Sequence, residues 1–190
     1  MRIRTAAIAT AIALGTTLTA CSSGDTISST PVSSAAGTPA SDTSSAPPKT
    51  PEAAKVGDTI SVKGGDDGSK LDVTVVKIAD PAKPADEFTE PGSGKRFVGV
   101  QFRLVNTGTA VYSDSPGNGT QVADSQGQRF GETLADISAG PSMSSDVKLK
   151  PGAKALGWVV FEVPKASKVA TVQFTMDSGF AEQTAEWKLS

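Results

Sequence analysis

Apolar side chains recur at every second position through most of the chain beyond residue 55. Val98, Val100, Phe102 and Leu104 alternate with Gly99, Gln101 and Arg103, the period of a strand with one buried face. Val159, Phe161 and Val163 share one face of another run, with Trp158, Val160 and Glu162 on the opposite one. Ala170, Val172, Phe174 and Met176 predict a further strand, and Thr59–Lys63 and Ala185–Leu189 two short ones. Leu71, Val73 and Val75 also alternate with polar neighbours. Val76 and Ile78 then change phase, which predicts a β-bulge.

Turn chemistry separates these runs: Gly64-Gly65-Asp66-Asp67-Gly68, Asn106-Thr107-Gly108, Ser115-Pro116-Gly117-Asn118-Gly119 and Pro151-Gly152. A helical period extends no further than one turn, predicted near Glu132–Asp136. Many short strands punctuated by Gly and Pro place the chain in the all-β class. They predict an antiparallel β-sandwich over residues 56–190 rather than βαβ units.

The first 55 residues follow other rules. Met1-Arg2-Ile3-Arg4 is a positive start, and Thr5 to Gly15 is mostly Ala, Ile and Leu. That stretch has the length of a signal-peptide core and is too short for a bilayer, which takes about 20 apolar residues. Residues 1–20 therefore read as a signal peptide. Leu18-Thr19-Ala20-Cys21 matches at all four positions the lipobox of bacterial lipoproteins, which it resembles. That resemblance implies cleavage before Cys21 and a thioether-linked diacylglycerol on its sulfur. The plainer alternative is a secretory signal with a chance cysteine. In the tether expected over residues 21–55, 25 of the 34 residues after Cys21 are Ser, Thr, Pro or Ala, and none is aromatic. Such a segment buries too little apolar area to offset the entropy of ordering it, so it is expected to be disordered.

Composition narrows the chemistry. The chain has 190 residues, no histidine and one cysteine. Ser-His-Asp triads, Cys-His pairs, His-based metal centres and internal disulfides are excluded. A formal net charge of −2 supplies no electrostatic footprint for nucleic acid. An acidic body also makes the lipid, rather than the protein surface, the expected membrane contact.

Several pieces of the folded part fall in a particular order. They are Val56-Gly57-Asp58-Thr59, Phe97-Val98-Gly99-Val100, Val105-Asn106-Thr107-Gly108, Pro151-Gly152 and Gly157-Trp158-Val159-Val160-Phe161-Glu162-Val163-Pro164. This order resembles a domain-of-unknown-function family of secreted bacterial lipoproteins, whose fold is similar to the immunoglobulin-like secreted immunogenic protein of mycobacteria. The resemblance implies an extracytoplasmic immunoglobulin-like β-sandwich and no catalytic residue. Asn106, Gly108, Gly157 and Pro164 read as determinants of that fold.

Other candidates have a plainer reading beside the functional one. Asp66 and Asp67 offer the hard oxygen ligands that calcium takes, and Ser113-Asp114-Ser115 and Asp124-Ser125 are similar clusters. None has EF-hand spacing, and Asp and Gly also serve turns. Asn118-Gly119-Thr120 fits a glycosylation pattern and reads more simply as a turn. Met143 and Met176 lack the histidines of a copper site. Asp80 to Lys95 reads as a long charged loop holding Phe88, which either anchors a partner or, more simply, tucks against the sandwich. The expected function is a non-enzymatic binding or interaction module without cofactor. It sits on the extracytoplasmic face of the cell membrane, held by lipid on Cys21, with a protein or envelope partner and no nucleic acid. The alternatives are a carrier or sensor with a small-ligand pocket between the sheets, and a hydrolase working with carboxylates alone.

Overall fold

The structure, a computed structural model, describes residues 53–189. The expected signal peptide, the expected cleavage residues Leu18, Thr19 and Ala20, the expected lipidation site Cys21 and most of the expected tether lie outside the described residues. Eleven strands form among the described residues: β1 Ala54–Lys55, β2 Thr59–Lys63, β3 Lys70–Ala82, β4 Lys95–Asn106, β5 Tyr112–Asp114 and β6 Thr120–Asp124, followed by β7 Arg129–Gly131, β8 Val147–Leu149, β9 Lys154–Pro164, β10 Val169–Thr175 and β11 Thr184–Lys188. Two short 3-10 turns, Pro116–Gly119 and Asp177–Gly179, complete the described secondary structure.

The strands make a five-stranded sheet in the order β1-β11-β10-β6-β7, a four-stranded sheet in the order β2-β3-β4-β9, and a small β5-β8 ribbon. The pairings are antiparallel apart from β1 on β11, where Ala54 meets Trp187 in parallel. Two residues expected in the tether thus belong to a sheet. The period-two pattern fills the space between the sheets with Val73, Val75, Val98, Val100, Phe102, Leu104, Val159, Phe161, Val172, Phe174 and Trp187, all buried. The Phe102 ring lies 5.9 Å from that of Phe174 and 6.4 Å from that of Trp187. Where a carrier would need its pocket, side chains from both sheets interdigitate; the carrier reading loses its site.

Three local expectations change. The phase switch in β3 is the predicted bulge, with the register against β4 shifting between Val75 and Lys77. The loop expected from Asp80 is shorter, because β3 runs on through Pro81 to Ala82, which pairs with Phe97. A second register shift between Ala79 and Ala82 admits a proline that has no N–H to give the ladder. Arg96 secures this end by donating to Asp80 at 2.5 and 2.8 Å and to the Pro164 carbonyl at 2.6 Å. Residues Glu132–Asp136 form no helical turn. Glu132 bridges Phe161 in an antiparallel pair, and the Thr133 N–H donates to the Val160 carbonyl at 2.7 Å. Edge pairing to β9 wins over a helical turn too short to propagate.

Asn106 and Gly157 have the structural roles expected of them. The Asn106 side chain is buried and donates to the carbonyls of Ala110 and Leu149, each at 2.8 Å, while accepting from the Gly108 N–H at 2.9 Å. Gly157 marks a close crossing: a Cβ there would lie 2.5 Å from Met143 Cα.

Candidate functional site

The outer face of the four-stranded sheet carries a second, smaller apolar cluster of Ala82, Phe97, Trp158, Val160 and Ile137. Ile137 belongs to a strap, residues 132–143, that crosses this face. The strap is tied at both ends to the edge of β9. At one end are the Glu132 and Thr133 contacts. At the other, the Met143 N–H donates to the Trp158 carbonyl at 2.7 Å and the Trp158 N–H to the Pro141 carbonyl at 3.0 Å. Between them, Ser138 N–H reaches the Lys83 carbonyl at 2.9 Å. Gly99 makes room beneath, since a Cβ there would meet the Ile137 side chain at 2.5 Å.

Strap and sheet enclose a groove of about 350 Å3, lined among others by Thr89, Glu132, Leu134, Asp136, Ser142 and Trp158. Leu134 is 93% exposed and Phe88, next to the lining Thr89, is 89% exposed. The tucked position expected for Phe88 is therefore corrected. The residues around it are held by Asp86, whose carboxylate accepts the N–H groups of Phe88 and Thr89 at 2.8 and 2.9 Å. Those bonds lower the Asp86 pKa, the Phe88 N–H most of all, and fix the backbone of the turn that carries the ring. Beneath the groove, Trp158 is only 5% exposed, and its indole N–H has no acceptor among the described residues. Such an orphan donor is uncommon in a folded interior.

Two carboxylates line the groove, which bears on the hydrolase reading. Burial raises the Glu132 pKa. Asp136 accepts the Ser142 hydroxyl at 2.6 Å, a bond that ties the strap to itself. The arrangement offers a shaped, mixed surface with apolar side chains at its rim.

The other candidates serve the fold. Asp66 and Asp67 sit in the β2–β3 turn, where the Asp66 carbonyl accepts the Ser69 N–H at 3.1 Å. No three His, Cys, Asp or Glu side chains gather into a metal-sized group among the described residues, so the calcium candidates are not brought together. Asp114 instead clamps the Asp177–Gly179 turn, accepting the Ser178 N–H at 2.9 Å and its hydroxyl at 2.6 Å. Asp124 accepts the N–H groups of Gln126 and Gln128, each at 2.9 Å. Burial works to raise its pKa, but these bonds, Gln128 first, leave it lowered. Asn118 and Gly119 lie in a 3-10 turn, where a Cβ on Gly119 would overlap the Thr175 carbonyl oxygen. Met176 and Met143 are buried in the main core.

Sequence reasoning missed the strap and the role of Trp158. The signal was present, because Trp158 and Val160 make the second face of β9 apolar and such a face needs a cover. Nothing local identified Ala135 or Ile137 as that cover.

Comparison with known proteins agrees with this architecture. None of the curated proteins compared with the chain matches it. A secreted protein from Mycobacterium tuberculosis, MPT63, superposes with a TM-score of 0.50 at 15% identity, over 71% of this chain and 95% of its own. The yjhA protein from Bacillus subtilis gives 0.52 at 15% identity, over 72% of this chain and 99% of its own. At that identity the likeness is one of fold, the β-sandwich. The model of a family described as a domain of unknown function, DUF4352, matches residues 55–185. That span runs from the last residue of β1 into β11, so it takes in the strap, the groove and both sheets. The chain belongs to the DUF4352 family.

Proposed function

We propose that the protein is a non-catalytic interaction module that docks a protein partner of the cell envelope on the outer face of its four-stranded sheet. The observation that carries this reading is the groove over Trp158, with Leu134 and Phe88 exposed beside it. Two large apolar side chains standing almost wholly in water cost solubility unless something covers them, and aromatic side chains such as Phe88 are enriched at the buried centres of protein interfaces. The module works outside the cytoplasm, anchored by lipid on Cys21. This address is supported by the Leu18-Thr19-Ala20-Cys21 sequence and by a fold shared with a secreted mycobacterial protein.

A photo-crosslinking amino acid at position 134, in cells that make the full chain, tests the docking face. A discrete adduct that disappears with Phe88→Asp supports the proposal. No adduct, or one indifferent to Phe88→Asp and equal to that from a probe at exposed Val111, overturns it. Metabolic labelling with a clickable fatty acid tests the anchor separately, and equal labelling of the natural chain and Cys21→Ala rejects it.

A further inference from the structure

We infer a second binding site, on the opposite side of the sandwich, that accepts a neutral polyhydroxylated ligand: a sugar ring of a glycan chain. It is a cleft of about 210 Å3 on the outer face of the five-stranded sheet, lined by Asn118, Gln121, Arg129, Gln173, Thr175 and Thr184, with Gly119 and Gly179 in its wall. This face is unlike the one under the strap. Its side chains are amides, hydroxyls and one guanidinium, whereas the strapped face carries Trp, Phe and Val.

Part of the lining is already organised. Arg129 Nη1 donates to Gln173 Oε1, and Gln173 Nε2 donates to Glu186 Oε2 at 2.6 Å. The chain Arg129–Gln173–Glu186 thus runs across β7, β10 and β11 and holds the guanidinium in place. The Thr175 and Thr184 hydroxyls are paired at 2.8 Å. The side-chain amides of Asn118 and Gln121 make no hydrogen bond within the described residues and leave both donors and acceptors open. The wall is held rigidly. Asp177 and Ser178 both adopt left-handed φ, at 56° and 53°, a conformation that non-glycine residues keep only under restraint. The restraint is Asp114, which takes both the N–H and the hydroxyl of Ser178.

The chemistry of the lining selects the ligand. An amide side chain presents a donor and an acceptor side by side, as a sugar hydroxyl does, so each can satisfy the other in both directions. A peptide would bring apolar side chains with nothing here to pack against. A phosphate or polyanion would meet a single guanidinium already linked through Gln173 to a carboxylate, which is too little positive charge to repay desolvation.

The experiment is calorimetric titration of the full-length protein in detergent with three trisaccharides: chitotriose, cellotriose and trigalacturonic acid. Saturable binding of chitotriose or cellotriose, weakened about tenfold or more by Gln121→Ala and by Arg129→Ala at unchanged melting temperature, supports the site. Absence of saturable binding by both neutral sugars at concentrations of about 10 mM overturns it, as does binding that neither Gln121→Ala nor Arg129→Ala alters. Binding of trigalacturonic acid alone, abolished by salt, also overturns it, because the site is then one for anions.

Discussion

Gly157→Ala tests how the strap is held and what lies beneath it. The added Cβ would stand 2.5 Å from Met143 Cα and 2.7 Å from Met143 N. Unstrained carbon contacts lie near 3.5–4.0 Å, so about 1 Å must be found. Both atoms are backbone, and no rotamer change relieves them; the strap itself has to lift from β9. Lifting lengthens the Met143 N–H bond to the Trp158 carbonyl and the Trp158 N–H bond to the Pro141 carbonyl, now 2.7 and 3.0 Å. Each such bond contributes about 1 kcal/mol net, and overpacking adds about 1–3 kcal/mol where the surroundings resist. The expected loss is about 3–5 kcal/mol. At a urea m-value of about 2 kcal/mol/M, a loss of about 3 kcal/mol lowers the unfolding midpoint by about 1.5 M. Trp158 supplies a second readout. It is one of two tryptophans, and the other, Trp187, is wholly buried with its indole N–H on the Asp58 carbonyl at 3.0 Å. A lifted strap exposes Trp158 alone, so emission moves to the red and acrylamide quenching rises under native conditions. Gly131→Ala is the control, because a Cβ there meets nothing within 4 Å, and its stability should change by less than about 1 kcal/mol. A Gly157→Ala protein with an unshifted midpoint and unchanged emission refutes the reasoning, since the strap would then yield without loss of its bonds.

Asn106→Ala removes three hydrogen bonds and strands the buried Leu149 carbonyl, so urea denaturation should show a loss of about 3 kcal/mol; a loss under about 1 kcal/mol would mean that water replaces the amide. The chain has one tyrosine, Tyr112, whose pKa is raised by burial first and by the Asp114 charge next. Absorbance at 295 nm should therefore show no phenolate transition near the ordinary pKa of about 10 while the protein stays folded. A raised native pKa means that the folded state holds its proton longer, so this tyrosine's contribution falls as pH rises above the unfolded value. Glu162 shifts the other way, its pKa lowered first by the Lys95 side chain at 2.7 Å and then by the Gly92 N–H at 2.6 Å. Its contribution is present above the unfolded pKa of about 4.3 and is lost as pH falls through the lower native value. Glu162→Gln should flatten the acid limb of a stability–pH curve, and an unaltered limb would place the acid sensitivity elsewhere.

Strands whose side chains alternate strictly were readable from the chain alone, because period two is a local property and Val98–Leu104 buries one face in the main core. So were the bulge in β3, where two apolar residues in succession cannot share a face, and the role of Asn106, whose short amide suits a turn. The short strands β5, β7 and β8 escaped, as each has three residues, too few to display a period. Phe88 and Leu134 could not be placed either, because whether an apolar loop side chain tucks in or stands in water depends on the tertiary surface it meets, and both stand in water. Both candidate sites were decided by tertiary structure alone. The groove exists because a strap with no secondary structure of its own covers the second apolar face of β9. The polar cleft brings β6, β7, β10 and β11 together around Gln173, residues up to 66 positions apart from Asn118 to Thr184. Local sequence sets which side of a strand is apolar; only the pairing of distant strands decides which side chains meet there.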